Sequence, residues 1–294
     1  MSVTATTRLI CLIGSPIAQS KSPSMHNAAF AATGEDLVYV AFDIGLDRVV
    51  SAIQGFRTFN VRGGNVTMPL KQAAARLVDR LSSVARLVGA VNTIVNDAGV
   101  LSGHNTDGQG YLRGLDDVGV QYVGKKFTSM GAGGGATAVA VEAAMSGARA
   151  IAMFNRRDQF FAHSERLAAD LRDRFRCEVG AHDLADEASL RREIASSDIL
   201  LNGTSVGMGA QRDQSIIPDA SYFHDALVVT DMIVVPAETK LLELARHAGC
   251  RTVPGTGMNV FQAAGAFKLW TNREMPIDLV KRIALGDRVD TSSG

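Results

Sequence analysis

Short runs rich in β-branched and aromatic residues alternate along this chain with stretches whose apolar positions recur at three- and four-residue spacing. In the first third the runs read as strands over 8–13, 37–43 and 60–65. A pair over 90–96 and 100–104 turns back at Asp97-Ala98-Gly99. The helix after the first strand has clear ends: Ser22 can cap it, Pro23 suits its first position and Gly34 stops it. Residues 46–56 and 69–80 also have a helical pattern. The middle of the chain is more regular, with strands expected over 126–130, 150–155, 177–182, 199–202, 227–231 and 250–253 and helical patterns between most of them. Such alternation predicts a parallel sheet covered on both faces, and six strands fill a doubly wound sheet. After Gly257 the pattern is helical to about 272 and again over 276–285, with no strand following, so these helices are expected to return to the first region. The fold class is therefore α/β with two domains. One is discontinuous, 1–106 plus 257–294, with a mostly parallel mixed sheet; the other, 107–256, is doubly wound and Rossmann-like.

Composition narrows the classes of function. The 294 residues are 46% hydrophobic and carry 30 basic and 30 acidic side chains, so two cores can be buried and the formal net charge is zero. No long basic run and only 6% aromatics leave nucleic acid without a footprint. No apolar run nears the roughly 20 residues of a membrane span, and the N-terminus lacks the pattern of a signal peptide. Cys11, Cys177 and Cys250 are widely spaced beside apolar residues, which reads as a reduced chain with the cytoplasm as its expected compartment. Neither the cysteines nor the six scattered histidines have zinc-ligand spacing. The tail, 287–294, is polar and expected to fray.

Gly131-Ala132-Gly133-Gly134-Gly135-Ala136 fits Gly-x-Gly-x-x-Ala between a strand and a small-residue helix. The first glycine permits the turn, the second lets backbone approach a phosphate, and the small sixth residue lets helix and strand pack closely. A pyrophosphate would sit on the N–H groups of the helix N-terminus; the alternative is a glycine turn of purely structural use. At the next strand end, Asn155-Arg156-Arg157-Asp158, the acid would accept from the ribose hydroxyls of NAD, and Arg156 or Arg157 would pair with the 2′-phosphate of NADP. NAD is the expected cofactor, with NADP also open. The bland reading is a pair of solvated arginines at a helix start. Asn202-Gly203-Thr204-Ser205 closes another strand, where loops line a cofactor or form an ordinary polar turn.

Upstream lies a second constellation. Ser20 and Ser22 can both face a ligand carboxylate, although Ser22 competes for the helix cap and Ser20 alone reads equally as a turn residue. Thr67 and Lys71 follow the third strand in an apolar flank, with Lys71 expected on the first turn of a helix that Pro69 starts. Asn92-Thr93 and Asn105-Thr106-Asp107 add amides and a carboxylate, which suit a polyhydroxylated ligand. A lysine acting as base must shed its proton for part of the cycle. Burial and a nearby positive charge favour that, and a carboxylate favours the ammonium form. Lys71 with Asp107 is therefore the expected proton-transfer pair for alcohol oxidation and carbonyl reduction.

These segments resemble the shikimate dehydrogenase family over nearly the whole chain. The matching pieces are Ser20-Lys21-Ser22-Pro23, Asn65-Val66-Thr67-Met68-Pro69-Leu70-Lys71, Ala90-Val91-Asn92-Thr93, Asn105-Thr106-Asp107-Gly108, the glycine loop, Asn202-Gly203-Thr204, and Gly257-Met258 with Gln262. Asn155-Arg156-Arg157-Asp158-Gln159-Phe160-Phe161 looks closest to the quinate/shikimate dehydrogenase branch, since the strictly NADP-dependent branch typically has threonine or serine after the first arginine. The resemblance implies NAD(P)-dependent interconversion of shikimate or quinate with the 3-dehydro ketone, in the cleft of a two-domain fold. It implies Lys71 and Asp107 as the catalytic pair and Ser20, Ser22, Thr67, Asn92 and Gln262 as substrate holders. Gly131, Ala132, Gly133, Gly134, Gly135, Asn155, Arg156, Asp158, Asn202, Thr204, Ser205, Ile233 and Gly255 would take the cofactor. The 1–106 plus 257–294 domain would then bind substrate and the 107–256 domain the dinucleotide. Its partner would be a small ring acid, with no nucleic acid or membrane, and a homodimer is compatible. One departure stands out. Where the family usually has Tyr-Asn-Pro, this chain has Val234-Val235-Pro236, so a hydroxyl near the substrate carboxylate, worth about 1.5–3 kcal/mol to a charged group, is missing. That implies weaker shikimate binding or a different ring acid, such as an amino-substituted shikimate. A non-catalytic ring-acid sensor on the same scaffold is the rival class, which the presence of both Lys71 and Asp107 disfavours.

Overall fold

The computed structural model describes residues 3–158 and 161–286. The expected fraying of the tail therefore falls outside the described residues, as do Gln159 and Phe160 of the branch-like segment. The chain forms two units: Met1–Thr106 with Val260–Gly294, and Asp107–Asn259. It passes from one to the other twice, once after Thr106 and once inside a helix.

The first unit is built on β1 (Arg8–Gly14), β2 (Leu37–Asp43), β3 (Gly63–Val66), β4 (Arg80–Leu81), β5 (Thr93–Asp97) and β6 (Val100–His104). Their order is β2-β1-β3-β5-β6-β4. β1 pairs in parallel with β2 and β3, β5 runs antiparallel to β3 and β6, and β4 is parallel to β6. The period of two along β1 sends its side chains into two cores. Ile10 and Leu12 pack with Met25 and Phe30 of α1 (Ser22–Thr33), Phe267 and Trp270 of α10 (Thr256–Thr271) and Val280 of α11 (Ile277–Leu285). Cys11 and Ile13 face Ile53 and Phe56 of α2 (Val49–Thr58), Ala74 of α3 (Lys71–Ala75) and Ala85 of α4 (Ser83–Val88).

Ser22 does not cap α1. Lys21 holds the cap position without a side-chain cap bond, and the Ser22 N–H donates instead to Ser20 Oγ at 3.3 Å. The cause is local: the chain is already helical at Lys21, so Ser22 sits one residue too late to cap. Residues 69–80 were expected as one helix. α3 ends at Ala75, and the chain turns to reach the short strand β4.

The second unit holds β7 (Lys126–Met130), β8 (Ala150–Asn155), β9 (Glu178–Asp183), β10 (Ile199–Asn202), β11 (Val228–Asp231) and β12 (Arg251–Val253). All pairings are parallel, in the order β12-β11-β10-β7-β8-β9. Counted from β7, this is the doubly wound order 3-2-1-4-5-6, which reverses between β7 and β10. Met130, Phe154, Leu200 and Val229 pack on one face against Leu190 and Ile194 of α8 (Glu187–Ala195) and Leu241 of α9 (Lys240–His247). α5 (Asp107–Asp117) lies so close to α6 (Gly134–Met145) that a Cβ on Gly108 would stand 2.2 Å from the Ala138 carbonyl. α7 (Phe161–Arg174) packs on β9.

Candidate functional site

In the first unit the C-terminal end of β1 and the turn after β3 are in close contact. A Cβ on Gly14 would meet Thr67 Cγ2 at 2.2 Å, Ser15 N–H donates to the Met68 carbonyl at 2.9 Å, and Thr67 N–H donates to the Ile13 carbonyl at 2.9 Å. Glycine at position 14 therefore brings the segment leading to Ser20 and Ser22 against the segment leading to Lys71. Lys71 opens α3 and is half-buried. Its carbonyl accepts from Val91 N–H at 3.0 Å, and Val66 N–H donates to the Asn92 carbonyl at 2.8 Å, so backbone bonds tie the Thr67–Lys71 turn to Asn92.

A chain of neutral side chains runs behind these residues. The Tyr39 hydroxyl donates to Asn65 Oδ1 at 2.8 Å, and Asn65 Nδ2 donates to the Asn92 carbonyl at 3.1 Å and to Thr93 Oγ1 at 3.2 Å. Thr93 Oγ1 donates to Asn92 Oδ1 at 2.9 Å, and Asn92 Nδ2 donates to Thr106 Oγ1 at 2.9 Å. Thr106 Oγ1 donates to the Gln262 carbonyl at 3.0 Å, and its N–H donates to Asn92 Oδ1 at 2.9 Å. Three backbone groups, the Asn92 and Gln262 carbonyls and the Thr106 N–H, have one role each. They fix both amides and give the whole chain a single direction. At its start the Tyr39 phenol lies beside Ser22, and burial pushes its pKa up. His26 stacks on Tyr39 with ring centroids 4.7 Å apart; it is fully buried, neither nitrogen has a partner among the described residues, and burial lowers its pKa to about 3.

Ser20, Ser22, Thr67, Lys71, Asn92 and Gln262 therefore all belong to the first unit. Asp107 is the first residue of the second, next in the chain to Thr106; it is buried and begins α5.

In the second unit the expected dinucleotide residues gather at the C-terminal ends of the strands beside the switch point. Gly131, directly after β7, has φ +99°, a conformation that favours glycine, and its N–H donates to the Phe154 carbonyl at 2.8 Å. Ala132 is buried, and Gly133 caps α6 with no side-chain cap bond; a Cβ there would meet nothing within 4 Å. That is the open cradle a phosphate needs, beside first-turn N–H groups that no side chain caps. Gly134 and Gly135 form the first turn of α6. Gly203 sits where a Cβ would come 2.5 Å from Ala136 Cβ, so the loop after β10 packs directly on the glycine turn.

Asn202 is buried. Its Oδ1 accepts from Thr204 N–H at 3.0 Å and Oγ1 at 2.7 Å, and its Nδ2 donates to the Val206 carbonyl at 3.0 Å. Ser205 is exposed in the same loop. Ile233 is buried after β11, and Gly255 lies against it: a Cβ would stand 2.5 Å from the Ile233 carbonyl. At the end of β8 the two arginines separate. Arg157 pairs with Asp183 at 2.9 Å and covers the Phe161 ring at 4.8 Å. Arg156 is exposed, and its guanidinium has no protein partner among the described residues. Asn155 Nδ2 approaches Asp158 Oδ1 at 3.5 Å.

A hollow of about 300 Å³ opens beside Lys126 and Ala150, the first residues of β7 and β8, at the opposite end of those strands from the glycine turn. Lys126 is neutralised there by Glu193 at 2.7 Å, and ligands of open α/β sheets bind at the carboxyl ends of strands. Among the described residues no group of three or more His, Cys, Asp or Glu could hold a metal ion, and no helix is long and apolar enough to cross a membrane.

Sequence reasoning missed Tyr39, Thr93 as a relay and Asp231. A tyrosine on the buried face of a strand, and a carboxylate closing the run Val228-Val229-Thr230, were the available signals, because a buried polar tip needs partners.

A parallel sheet of order 3-2-1-4-5-6 with a glycine turn at its switch point, together with a separate mixed α/β unit, defines a two-domain dehydrogenase of the nicotinamide-dinucleotide type. Residues 12–94 match the shikimate dehydrogenase substrate binding domain and residues 255–285 the shikimate 5′-dehydrogenase C-terminal domain. The chain belongs to the shikimate dehydrogenase family. It is 46% identical over 281 residues to shikimate dehydrogenase (NADP(+)) of Listeria innocua, covering 96% of this chain and 97% of that protein. Quinate/shikimate dehydrogenase of Escherichia coli is 42% identical over 283 residues, covering 96% and 98%. The crystal structure of shikimate 5-dehydrogenase from Listeria monocytogenes with shikimate and NAD superposes with a TM-score of 0.90 at 46% identity, covering 96% of this chain and 98% of that one.

Proposed function

We propose that this protein is an NAD(P)-dependent dehydrogenase that interconverts shikimate or quinate with the corresponding 3-dehydro ketone. The observation that carries the reading is the neutral chain from Tyr39 to the Gln262 carbonyl. Ser22 lies at one end, Lys71 is tied to its middle by backbone bonds, and Thr106, next in the chain to Asp107, closes it. Hydroxyls and amides suit a ligand bearing several hydroxyls, and a lysine with a buried carboxylate suits movement of one proton.

In oxidation a ring CH–OH loses its hydroxyl proton to Lys71 Nζ and its carbon-bound hydrogen as hydride, leaving a ketone. In reduction Lys71 returns the proton to the ketone oxygen. NAD or NADP, when bound, supplies the acceptor or donor of the hydride. Ser20 and Ser22 hold the acid's carboxylate, and Thr67, Asn92 and Gln262 hold ring hydroxyls. Gly131, Ala132, Gly133, Gly134 and Gly135 receive the pyrophosphate, with Asn202, Thr204, Ser205, Ile233 and Gly255 lining the remaining length. Asn155 and Asp158 meet the ribose of NAD. Arg156 is the cation available to the 2′-phosphate of NADP, because Arg157 is engaged by Asp183 and Phe161. Both cofactors therefore fit the end of β8. The domain roles follow the same division, with the 1–106 plus 257–294 region taking the acid and 107–256 the dinucleotide. A cytoplasmic location agrees with three buried free thiols.

Val234-Val235 stands where the family usually has Tyr-Asn, so in this reading the two serines carry the carboxylate without a tyrosine hydroxyl. The test is steady-state kinetics of shikimate and quinate with NAD and with NADP. Turnover of at least one acid is expected; no turnover in any of the four combinations would overturn the reading.

A further inference from the structure

Asp231 closes β11 and is 2% exposed. Among the described residues no cation pairs with it. Its Oδ1 accepts from Ile233 N–H at 2.9 Å and Asn202 Nδ2 at 3.2 Å; its Oδ2 accepts from Thr239 Oγ1 at 2.7 Å and the same Nδ2 at 3.1 Å. Every partner is a donor, so the ionised carboxylate is the form that satisfies them all. Burial pushes its pKa up, and these donors offset only part of that rise. A lone buried carboxylate held by neutral donors costs more to desolvate than an apolar residue would. Its position makes sense of that cost. Asn202, which it grips, sets the loop after β10 through Thr204 and Val206. Ile233, which it also grips, is pressed from the other side by Gly255. The same β10 loop packs on the glycine turn through Gly203 and Ala136. One carboxylate thus ties together the loops after β10 and β11, and through Gly203 the glycine turn, at the strand ends where a doubly wound sheet takes its ligand.

We propose that Asp231 is a positioning residue for the dinucleotide, locking the loops after β10 and β11 in register with the glycine turn. The proposal rests on the reading of this unit as the cofactor unit. It deepens that reading by naming the group that organises the site without touching the ligand.

Asp231→Asn keeps the shape and turns one acceptor into a donor. The Ile233 N–H is a fixed donor, so the new amide must face Thr239 or Asn202 with an N–H group, and one of the grips is lost. Loss of one such bond corresponds to about tenfold in affinity. The expected result is about a tenfold rise in the KM for NAD and NADP, matched by calorimetric Kd. The KM of the acid at saturating cofactor and kcat should stay within about threefold. Thr239→Val removes one donor but leaves the carboxylate, and should move the cofactor KM in the same direction by about threefold. It carries the test in the same terms if Asp231→Asn does not fold. An unchanged cofactor Kd, or equal rises for cofactor and acid, would overturn the proposal. Calorimetry needs no turnover, so a wild-type protein that binds dinucleotide but oxidises neither acid would sink the substrate assignment and leave this test standing. A wild-type protein that binds neither dinucleotide would sink the cofactor reading and the proposal with it.

Discussion

The first unit carries its polar groups on a chain of neutral hydrogen bonds, whereas the second gathers them on one ionised carboxylate. In the chain, each of Tyr39, Asn65, Thr93, Asn92 and Thr106 hands one hydrogen to the next, and backbone groups fix the direction. At Asp231 one side chain receives several donors, from the end of β10 and from both ends of the β11–α9 connection. The chain holds neutral amides and hydroxyls, so in the proposed reaction the proton passes through Lys71 and Asp107. The hub places a charge where no proton has to move. A relay fails link by link, while a hub fails at once, and networks of either kind couple non-additively.

The largest expected effect removes the lysine proposed as acid and base and leaves the neutral chain intact. Lys71→Ala should lower kcat by roughly 10²–10⁴ with the fold preserved and the dinucleotide Kd unchanged. Near-normal kcat would mean that the chain alone suffices to move the proton and that the division of labour between chain and lysine is wrong.

The next effect concerns pH. His26 stacks on Tyr39 and is held neutral by burial, with a pKa lowered from 6.5 to about 3. The native protein therefore leaves His26 unprotonated over a window in which the unfolded chain binds a proton. The unfolded state binds more protons there, so stability is full above about pH 6.5 and is lost as pH falls towards about 3. By about pH 4 the loss is on the order of 3 kcal/mol. Urea midpoints of wild type and His26→Leu, measured at about pH 7 and about pH 4, should show a steeper fall for wild type. Parallel falls would show that His26 is not buried in the neutral form.

The same contrast separates what the sequence made legible from what it did not. The second unit was readable almost residue by residue: the strands expected over 126–130, 150–155 and 199–202 are β7, β8 and β10. Buried parallel strands are unbroken apolar runs, and β7 and β8 are each followed by a helix long enough to show its period. The first unit was less legible because several of its elements are too short for any period. β4 has 2 residues and α4 has 6. Only caps could have revealed α4: Ser82 Oγ accepts from Ala85 N–H at 3.1 Å, and Gly89 ends the helix at φ 69°. β3 begins at Gly63 and not at 60, because Asn60 is left-handed at φ 48°. Its glycines hide a strand signal. A Cβ on Gly63 would stand 2.4 Å from the Ile94 carbonyl and one on Gly64 2.3 Å from the Cys11 carbonyl, so close backbone approach outweighs β propensity. At the sites, motif spacing pointed to side chains expected to face ligands. It did not point to Tyr39 or Asp231, whose partners come together only through tertiary packing.

The smallest effect is the one that sharpens the comparison most. Tyr39→Phe keeps the ring against His26 and deletes only the first donor of the chain. Asn65 Oδ1 then loses its partner in a buried site, and Ser22 loses the phenol it meets. A buried acceptor left unsatisfied costs about 1–3 kcal/mol, to be read as a lower urea midpoint. If the chain orients Ser22 and Asn92 as a unit, the KM for the acid should rise by about tenfold while the dinucleotide Kd stays at its wild-type value. That is the mirror image of Asp231→Asn, which should move the dinucleotide and spare the acid. A variant that loses stability with both KM values unchanged would reduce the chain to packing. One that weakens acid and dinucleotide equally would mean that relay and hub are not independent devices, and the double variant would then fall short of the product of the two single effects.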